Sequence, residues 1–217
     1  MERPQVILVD AVGTLFGVKG SVGEVYSQIA QEFDVQVAPE VLNNKFLESF
    51  KAAPAPIFPD AELHDIPQRE FDWWRKIAFN TFKSAGVLPQ FSDFSSFFSE
   101  LYIHFGTAEP WFIYPDVLSS LKEWRQNDIQ LGIVSNFDSR IFSVLESLEL
   151  SGYFRSVTIS TQARVAKPDP QIFAIALEKH DCLPSAAWHI GDSIFEDYQG
   201  AKAAGLRGIW INRPGNS

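Results

Sequence analysis

Short runs of apolar, mostly β-branched residues recur along the chain, and each run ends at polar residues or glycine. Runs of this length are typical of strands that are buried on both faces of a parallel sheet. The pattern predicts four such strands, at residues 6–9, 130–134, 156–160 and 188–190, and a fifth at 208–211.

Apolar residues at helical spacing occupy the intervals between the later strands. They predict helices at residues 116–126, 141–148, 170–179 and 194–204. The first places Val117, Leu118, Leu121 and Trp124 on one face, and Gly205 is a typical C-cap for the last. Repeated alternation of strand and helix predicts an α/β fold with a doubly wound, Rossmann-like parallel sheet.

The interval at residues 17–110 departs from this alternation. It has no clear strand, but helix-like stretches at 22–33, 39–50, 68–85 and 94–105. The proline-rich segment at 53–59 cannot continue a helix. We therefore predict a helical domain at 17–110, inserted into a core domain formed by 1–16 and 111–217. We interpret its many aromatic residues as mainly hydrophobic core, with a substrate pocket or a protein contact as the alternative.

Composition narrows the classes of partner and compartment. The 217 residues include 27 acidic and 18 basic side chains, a net charge of −9, which disfavours binding to nucleic acid or anionic membranes. The single cysteine, Cys182, excludes an internal disulfide and fits a reducing compartment. The first apolar run stops at Asp10, too early for a signal peptide or a membrane span, so we expect a cytoplasmic protein. The sequence leaves both a monomer and a dimer open.

Polar residues with catalytic potential follow the ends of the predicted strands, where open α/β sheets bind ligands. Each segment alone is common, and their order along the chain carries the argument. They are Asp10 and Thr14, then Ser135 and Asn136, then Lys167, and finally Asp192 and Asp197.

These residue types indicate phosphoryl chemistry. A carboxylate at a strand end, such as Asp10, can act as a nucleophile. Three carboxylates in one place repel each other, and Mg²⁺, which prefers oxygen ligands, would relieve the repulsion and neutralise a phosphate. The Lys167 ammonium would offset the remaining charge, while Ser135 and nearby backbone amides would bind phosphoryl oxygens. We therefore expect a small phosphorylated metabolite as the substrate.

Together the four segments resemble the motifs of the haloacid dehalogenase-like (HAD) superfamily, over nearly the whole chain. The resemblance implies that the insert is a helical cap and that Asp10 forms a covalent intermediate later hydrolysed by water. It further implies motif roles for Thr14, which positions the first loop, for the Ser135 hydroxyl and for Lys167. The implied magnesium ligands are Asp10, the backbone carbonyl of Val12, Asp192 and Asp197, the last as the second acidic residue of its motif.

Two local features refine the resemblance. The Trp73-Trp74 pair and the Ser135-Asn136-Phe137-Asp138 stretch look most like the subgroup called haloacid dehalogenase-like hydrolase domain-containing protein 3. Against the family pattern, Val12 stands where the superfamily's phosphatases carry a second aspartate as general acid and base. Valine cannot transfer a proton, and such a loss costs about two to four orders of magnitude in rate.

Two alternatives therefore stay open. Metal-independent 2-haloacid dehalogenases also lack the second aspartate, and halide leaves without a proton. However, those dehalogenases do not keep an acidic pair such as Asp192 and Asp197, which this chain has. They also bind the substrate carboxylate with an arginine just after the first strand, where the nearest basic residue of this chain is Lys19. We therefore favour the metal-dependent hydrolase. The second alternative is a catalytically weak protein that binds a phosphorylated metabolite and serves in regulation.

Other polar residues near the motifs are weaker candidates. Glu196 and Asp138 are close enough in sequence to reach the site. We interpret His189 as a packed core residue. The other histidines, His64, His104 and His180, lack metal-ligand spacing.

Overall fold

The computed structural model describes residues 3–213 of the chain. Its strands and α-helices are, in chain order, β1 (Val6–Val9), β2 (Phe16–Val18), α1 (Val22–Glu32), α2 (Pro39–Ala52), α3 (Ile66–Ser84), α4 (Phe94–His104), β3 (Trp111–Ile113), α5 (Val117–Gln126), β4 (Gln130–Ser135), α6 (Ile141–Ser147), β5 (Ser156–Ile159), α7 (Ser160–Ala163), α8 (Pro170–Glu178), β6 (Ala187–Gly191), α9 (Gly200–Ala203) and β7 (Arg207–Trp210). The ends of the expected core domain, residues 1–2 and 214–217, lie outside the described residues.

The central sheet has five parallel strands in the order β5-β4-β1-β6-β7. This confirms the predicted doubly wound α/β fold, and each predicted core strand agrees with the structure to within one residue at either end. The chain fills the sheet to one side of β1 and then to the other, so β1 and β6 border the point where the strand order reverses. Ligands bind in the crevice at such a point in open α/β sheets.

Both faces of the sheet are covered, which explains the unbroken apolar run of β1. Ile7 and Val9 belong to the hydrophobic cluster on one face, and Val6 and Leu8 belong to the cluster on the other. All four side chains are at most 1% exposed. Among residues 3–213, no helix is both long enough and apolar enough to cross a membrane.

Helices α1–α4, called the insert helices below, lie between β2 and β3 and have a hydrophobic cluster of their own. Phe82 and Phe97 are fully buried there, with ring centroids 5.0 Å apart. Other rings, including Phe46 and Trp74, face a cavity between the insert helices and the sheet. The aromatic residues therefore form both a core and a pocket wall.

The expectation of no strand within residues 17–110 is wrong for Gly17 and Val18. These residues belong to β2, which pairs antiparallel with β3 in the register Phe16 to Ile113. A three-residue strand is too short to show a two-residue alternation of apolar and polar positions. Its pairing partner is also nearly a hundred residues away in the chain.

The predicted helix at 194–204 is two elements in the structure. A π-helical segment, Ile194–Gln199, precedes α9. The wide turn brings the backbone N–H of Tyr198 to the carbonyl of Ser193, five residues back. As predicted, Gly205 ends this region: its φ of 83° is left-handed, a conformation that glycine adopts without steric cost.

Candidate functional site

The carboxyl ends of β1, β4 and β6 meet at one edge of the sheet. Val9 lies opposite Ile133 of β4 on one side and Ile190 of β6 on the other. One or two residues beyond this level the chain presents polar side chains that face a common cavity of about 340 Å³. The predicted site residues among its lining are Asp10, Val12, Ser135, Asn136, Lys167, Asp192 and Asp197.

Thr14 lies behind the cavity and supports Asp10. Its hydroxyl is 3.5 Å from Asp10 Oδ2, at the long limit of a hydrogen bond. Both side chains are buried, with Thr14 at 3% and Asp10 at 6% exposure. The structure thus places Thr14 against the expected nucleophile, and its role in positioning the first loop stays a prediction.

Lys167 is the centre of the charged network. Its Nζ lies 2.6 Å from Asp10 Oδ1 and 2.5 Å from Asp197 Oδ1, and all three side chains are buried. Burial opposes the charge on Lys167, but the two carboxylates outweigh burial and raise the pKa of the ammonium above its ordinary value. Lys167 is therefore charged at neutral pH and fixes the orientation of Asp10.

Asn136 holds the backbone of Lys167 in place. The Lys167 N–H donates to Asn136 Oδ1 at 2.8 Å, and Asn136 Nδ2 donates to the Lys167 carbonyl at 3.0 Å. Nδ2 also donates to Glu196 Oε2 at 3.1 Å. Asn136 therefore positions the lysine and couples the end of β4 to the loop before α8, and it also lines the cavity in which substrate binding was predicted.

Asp197 anchors the same lysine from the opposite side. Its Oδ1 also lies 2.8 Å from His189 Nε2, and its Oδ2 accepts the backbone N–H of Ser193 at 3.0 Å. Although burial disfavours its charge, Lys167 and His189 hold the pKa of Asp197 well below its usual range. A Cβ on Gly191 would lie 2.1 Å from the Asp197 carboxyl carbon, so only glycine fits there.

Three carboxylates stand close enough to share a cation. One oxygen from each of Asp10, Asp192 and Asp197 lies within 4.8 Å of the others. Burial, and then the neighbouring charges of Asp10 and Asp197, raise the pKa of Asp192 to about 6. Burial also leaves the pKa of Asp10 raised despite the opposing effect of Lys167. Crowded oxygen donors of this kind fit a hard divalent cation such as Mg²⁺, because the cation removes their repulsion.

The far wall of the cavity contains a buried ion pair that the sequence did not reveal. Arg140 donates from Nε to Asp138 Oδ1 at 2.9 Å and from Nη2 to Asp138 Oδ2 at 2.6 Å. Trp74 of α3 donates from Nε1 to Asp138 Oδ2 at 2.6 Å, and Arg140 Nη1 donates to the carbonyl of Tyr102 in α4 at 3.1 Å. These bonds join the insert helices to the loop after β4.

The weaker candidates from the sequence differ in whether they line the cavity. Glu196 lines the cavity, whereas Asp138 lies behind its wall and neutralises Arg140. His189 is fully buried and packs edge-on against Phe173, which confirms its interpretation as a core residue, and its contact with Asp197 also ties it to the site. Lys19 donates to the carbonyl of Glu109 at 2.8 Å and is exposed.

Comparisons with known proteins agree with this geometry. The family model for haloacid dehalogenase-like hydrolases matches residues 4–205. The haloacid dehalogenase-like hydrolase domain-containing protein 3 of Danio rerio is 34% identical over 210 residues, which are 95% of this chain and 84% of that protein. This similarity confirms the subgroup that the sequence motifs indicated.

Solved structures show the same fold at lower identity. A HAD phosphatase from Thermococcus onnurineus is 24% identical with a TM-score of 0.66, over 98% of this chain and 88% of the other. The L-2-haloacid dehalogenase from Xanthobacter autotrophicus is 20% identical with a TM-score of 0.67, over 94% of this chain and 75% of the other. Phosphatase and dehalogenase chemistry therefore both occur on the architecture described above.

Proposed function

Since this chain belongs to the haloacid dehalogenase-like hydrolase family, we propose that it is a Mg²⁺-dependent phosphohydrolase of a small phosphorylated metabolite. One observation carries the proposal. The buried Asp10 carboxylate lies against the Lys167 ammonium, within a group of three carboxylates whose oxygens are at most 4.8 Å apart. A nucleophile, a fixed positive charge and a set of cation ligands thus face one cavity.

The residues suggest the following steps. A carboxylate oxygen of Asp10 attacks phosphorus, the bond to the leaving oxygen breaks, and the electron pair departs with that oxygen. An ammonium has three donors; two of those on Lys167 point at Asp10 and Asp197, and the third can bind a phosphoryl oxygen. The Ser135 hydroxyl faces the same cavity and can donate to a second phosphoryl oxygen.

Water then attacks the phosphorus of the aspartyl phosphate. The bond between phosphorus and the Asp10 oxygen breaks with its electron pair staying on the carboxylate, and the oxygen and both protons of the water leave with the phosphate as H₂PO₄⁻. Asp10 and Asp192, with Asp197 and the carbonyl of Val12 as further candidates, would hold Mg²⁺, which would neutralise the charge of the phosphate. The insert helices line one side of the cavity, and bulk water that they exclude around a bound substrate would strengthen these electrostatic contacts.

Hydrolysis of p-nitrophenyl phosphate tests the proposal, because its leaving group needs no proton from the enzyme. The assay compares Mg²⁺ with EDTA, and it compares Asp10→Asn with Asp72→Asn, an exposed aspartate on α3. We expect activity that needs both Mg²⁺ and Asp10 and that survives Asp72→Asn. Equal activity in Asp10→Asn and the unmodified protein would refute the nucleophile.

A 2-haloacid dehalogenase is the second candidate, favoured by Val12 in the cavity lining, since halide leaves unprotonated. Two contacts weaken it. The charge of Arg140 is matched by Asp138, and Lys19 is bound to the Glu109 carbonyl, so neither offers an obvious clamp for a substrate carboxylate. Chloride release from 2-chloropropionate in EDTA, lost in Asp10→Asn, would favour this candidate over the first.

A further inference from the structure

The cavity has two chemically different ends. Its floor is the charged network of Asp10, Lys167 and Asp192, together with Ser135. Its opposite wall is formed largely by apolar and aromatic side chains, of which the most prominent are Phe46, Phe50, Trp74, Phe98, Phe105 and Trp111. A substrate whose phosphate reaches the floor must therefore place the rest of its structure among rings.

Arg140 also borders this wall, but its positive charge is already paired with the Asp138 carboxylate. Asp138 accepts two of its hydrogen bonds and Tyr102 accepts a third. The guanidinium carbon lies 3.9 Å from the centroid of the Tyr102 ring and 5.2 Å from that of Trp74. Because Asp138 neutralises it, Arg140 acts as part of the aromatic wall and not as a receptor for a second anion.

A polyhydroxylated substrate fits this wall poorly. Each sugar hydroxyl would give up hydrogen bonds to water, and side chains such as Phe46 and Phe98 cannot replace them. An aromatic ring, in contrast, gains from burial and from edge-to-face contacts with neighbouring rings. At about 340 Å³ the cavity is near the lower end of the range for ligand sites, which limits the substrate to a small ring system.

The floor supplies an independent constraint on the leaving group. Val12 lines the cavity two residues beyond Asp10 and has no proton to give. A phenol has a pKa of about 10 and can leave as phenolate, whereas the oxygen of an alkyl alcohol resembles water, at about 15.7, and needs protonation. The aromatic wall and the apolar side chain at position 12 therefore favour the same kind of substrate.

Building on the proposed phosphohydrolase activity, we propose that the substrates are phosphate monoesters of small phenols. Asp10 attacks phosphorus, the bond between phosphorus and the phenolic oxygen breaks, and the electron pair stays on that oxygen. The phenolate takes its proton from solvent after release. Water hydrolyses the aspartyl phosphate as described above, so the products are the phenol and inorganic phosphate.

Assays of four phosphates with Mg²⁺ separate the effect of the aromatic wall, expected in KM, from the effect of the leaving group, expected in kcat. The four phosphates are phenyl phosphate, 2-phenylethyl phosphate, acetyl phosphate and glucose 6-phosphate. We expect kcat/KM for phenyl phosphate to exceed that for glucose 6-phosphate by about 100-fold. The phenylethyl ester should share the low KM of phenyl phosphate with a kcat lower by about 100-fold. Acetyl phosphate, with a good leaving group and no ring, should show a high kcat and a high KM.

The outcomes distinguish the substrate class from the proposed function. Equal or better kcat/KM for glucose 6-phosphate would overturn the aryl class and leave the phosphohydrolase standing. Rates for all four esters no higher than in Asp10→Asn would overturn both.

A matched pair of variants tests the wall itself. Leu47 on α2 lines the cavity and is 54% exposed. Ile103 on α4 is 67% exposed and is not among the described residues that line the cavity. We expect Leu47→Asn to raise KM for phenyl phosphate by about tenfold, with KM for acetyl phosphate unchanged. Ile103→Asn should change neither. Identical KM values for phenyl phosphate in the two variants would overturn the placement of the ring against the insert helices.

Discussion

Replacing Lys167 by methionine tests the charged network without any assumption about the reaction. Methionine has a similar length and an apolar end, so the variant removes the ammonium and leaves little empty space. It also removes two ion pairs, at 2.6 Å to Asp10 and 2.5 Å to Asp197, whose side chains are at most 8% exposed. Removing one partner of a buried pair destabilises a protein by about 3–5 kcal/mol, because the other charge stays buried without compensation.

The destabilisation should depend on pH in a defined direction. Without the ammonium, the folded-state pKa values of Asp10 and Asp192 stay above their unfolded values, and that of Asp192 is already about 6 in the unmodified protein. A carboxyl whose folded pKa is raised stabilises the fold fully below its unfolded pKa, near about 4, and loses that contribution as pH rises through the folded pKa. The variant should therefore be closer to the unmodified protein at pH 5 than at pH 8.

Urea unfolding in EDTA, followed by tryptophan fluorescence, measures this difference. Lys122→Met, at an exposed lysine of α5, is the control for loss of a charge. Added Mg²⁺ should stabilise Lys167→Met more than the unmodified protein, since three carboxylates without the neighbouring ammonium bind the ion more tightly. A loss below about 1 kcal/mol for Lys167→Met at pH 8, or one equal to that of Lys122→Met, would refute the network as the structure shows it.

Three further predictions concern other parts of the molecule. Val12→Asp should raise kcat for 2-phenylethyl phosphate by about 100-fold or more and change that for p-nitrophenyl phosphate little, as steady-state assays would show; an unchanged kcat for the alkyl ester would refute the missing acid. Arg140→Met, which leaves the buried Asp138 without a compensating charge, should lower the free energy of unfolding by about 3–5 kcal/mol, against less than about 1 kcal/mol for Arg125→Met at the surface. Glu70 on α3 is 1% exposed and accepts the Ser139 N–H at 3.1 Å. Burial raises the pKa of its carboxyl, so the ionised form weakens the fold as pH rises above about 4; Glu70→Gln should reduce that decline in urea titrations between pH 4 and 7.

The core sheet and the principal site residues could be predicted from the sequence because the signals were local. The run Val6–Val9 shows a strand covered on both faces, and Asp10 directly follows it. Parallel strands end at one edge, so polar residues after successive runs had to converge. The separation of Asp192 and Asp197 placed both near that edge, but it did not reveal the π-helical turn that brings Asp197 inward.

Contacts between distant segments could not be predicted in the same way. The motif predicted that Asn136 binds substrate, but it did not show that the Asn136 amide also bonds the backbone of Lys167, thirty-one positions along the chain. The pairing of Arg140 with Asp138 and Trp74 depends on how α3 lies over the sheet. Such partners follow from tertiary packing, and neither propensity nor spacing in a single sequence contains that information.

The short ribbon of β2 and β3 makes the insert an exchangeable module. The chain leaves the core through Phe16–Val18 and returns through Trp111–Ile113, and the Lys19 N–H donates to the carbonyl of Pro110 at 2.8 Å. The two crossing points are therefore adjacent, although some ninety residues separate them in sequence. A foreign helical segment with similarly close ends could replace the insert if it also supplied partners for Asp138 and Arg140, which Trp74 and Tyr102 bond in this chain. Such grafts would combine the charged residues of the core domain with a different set of pocket-lining side chains.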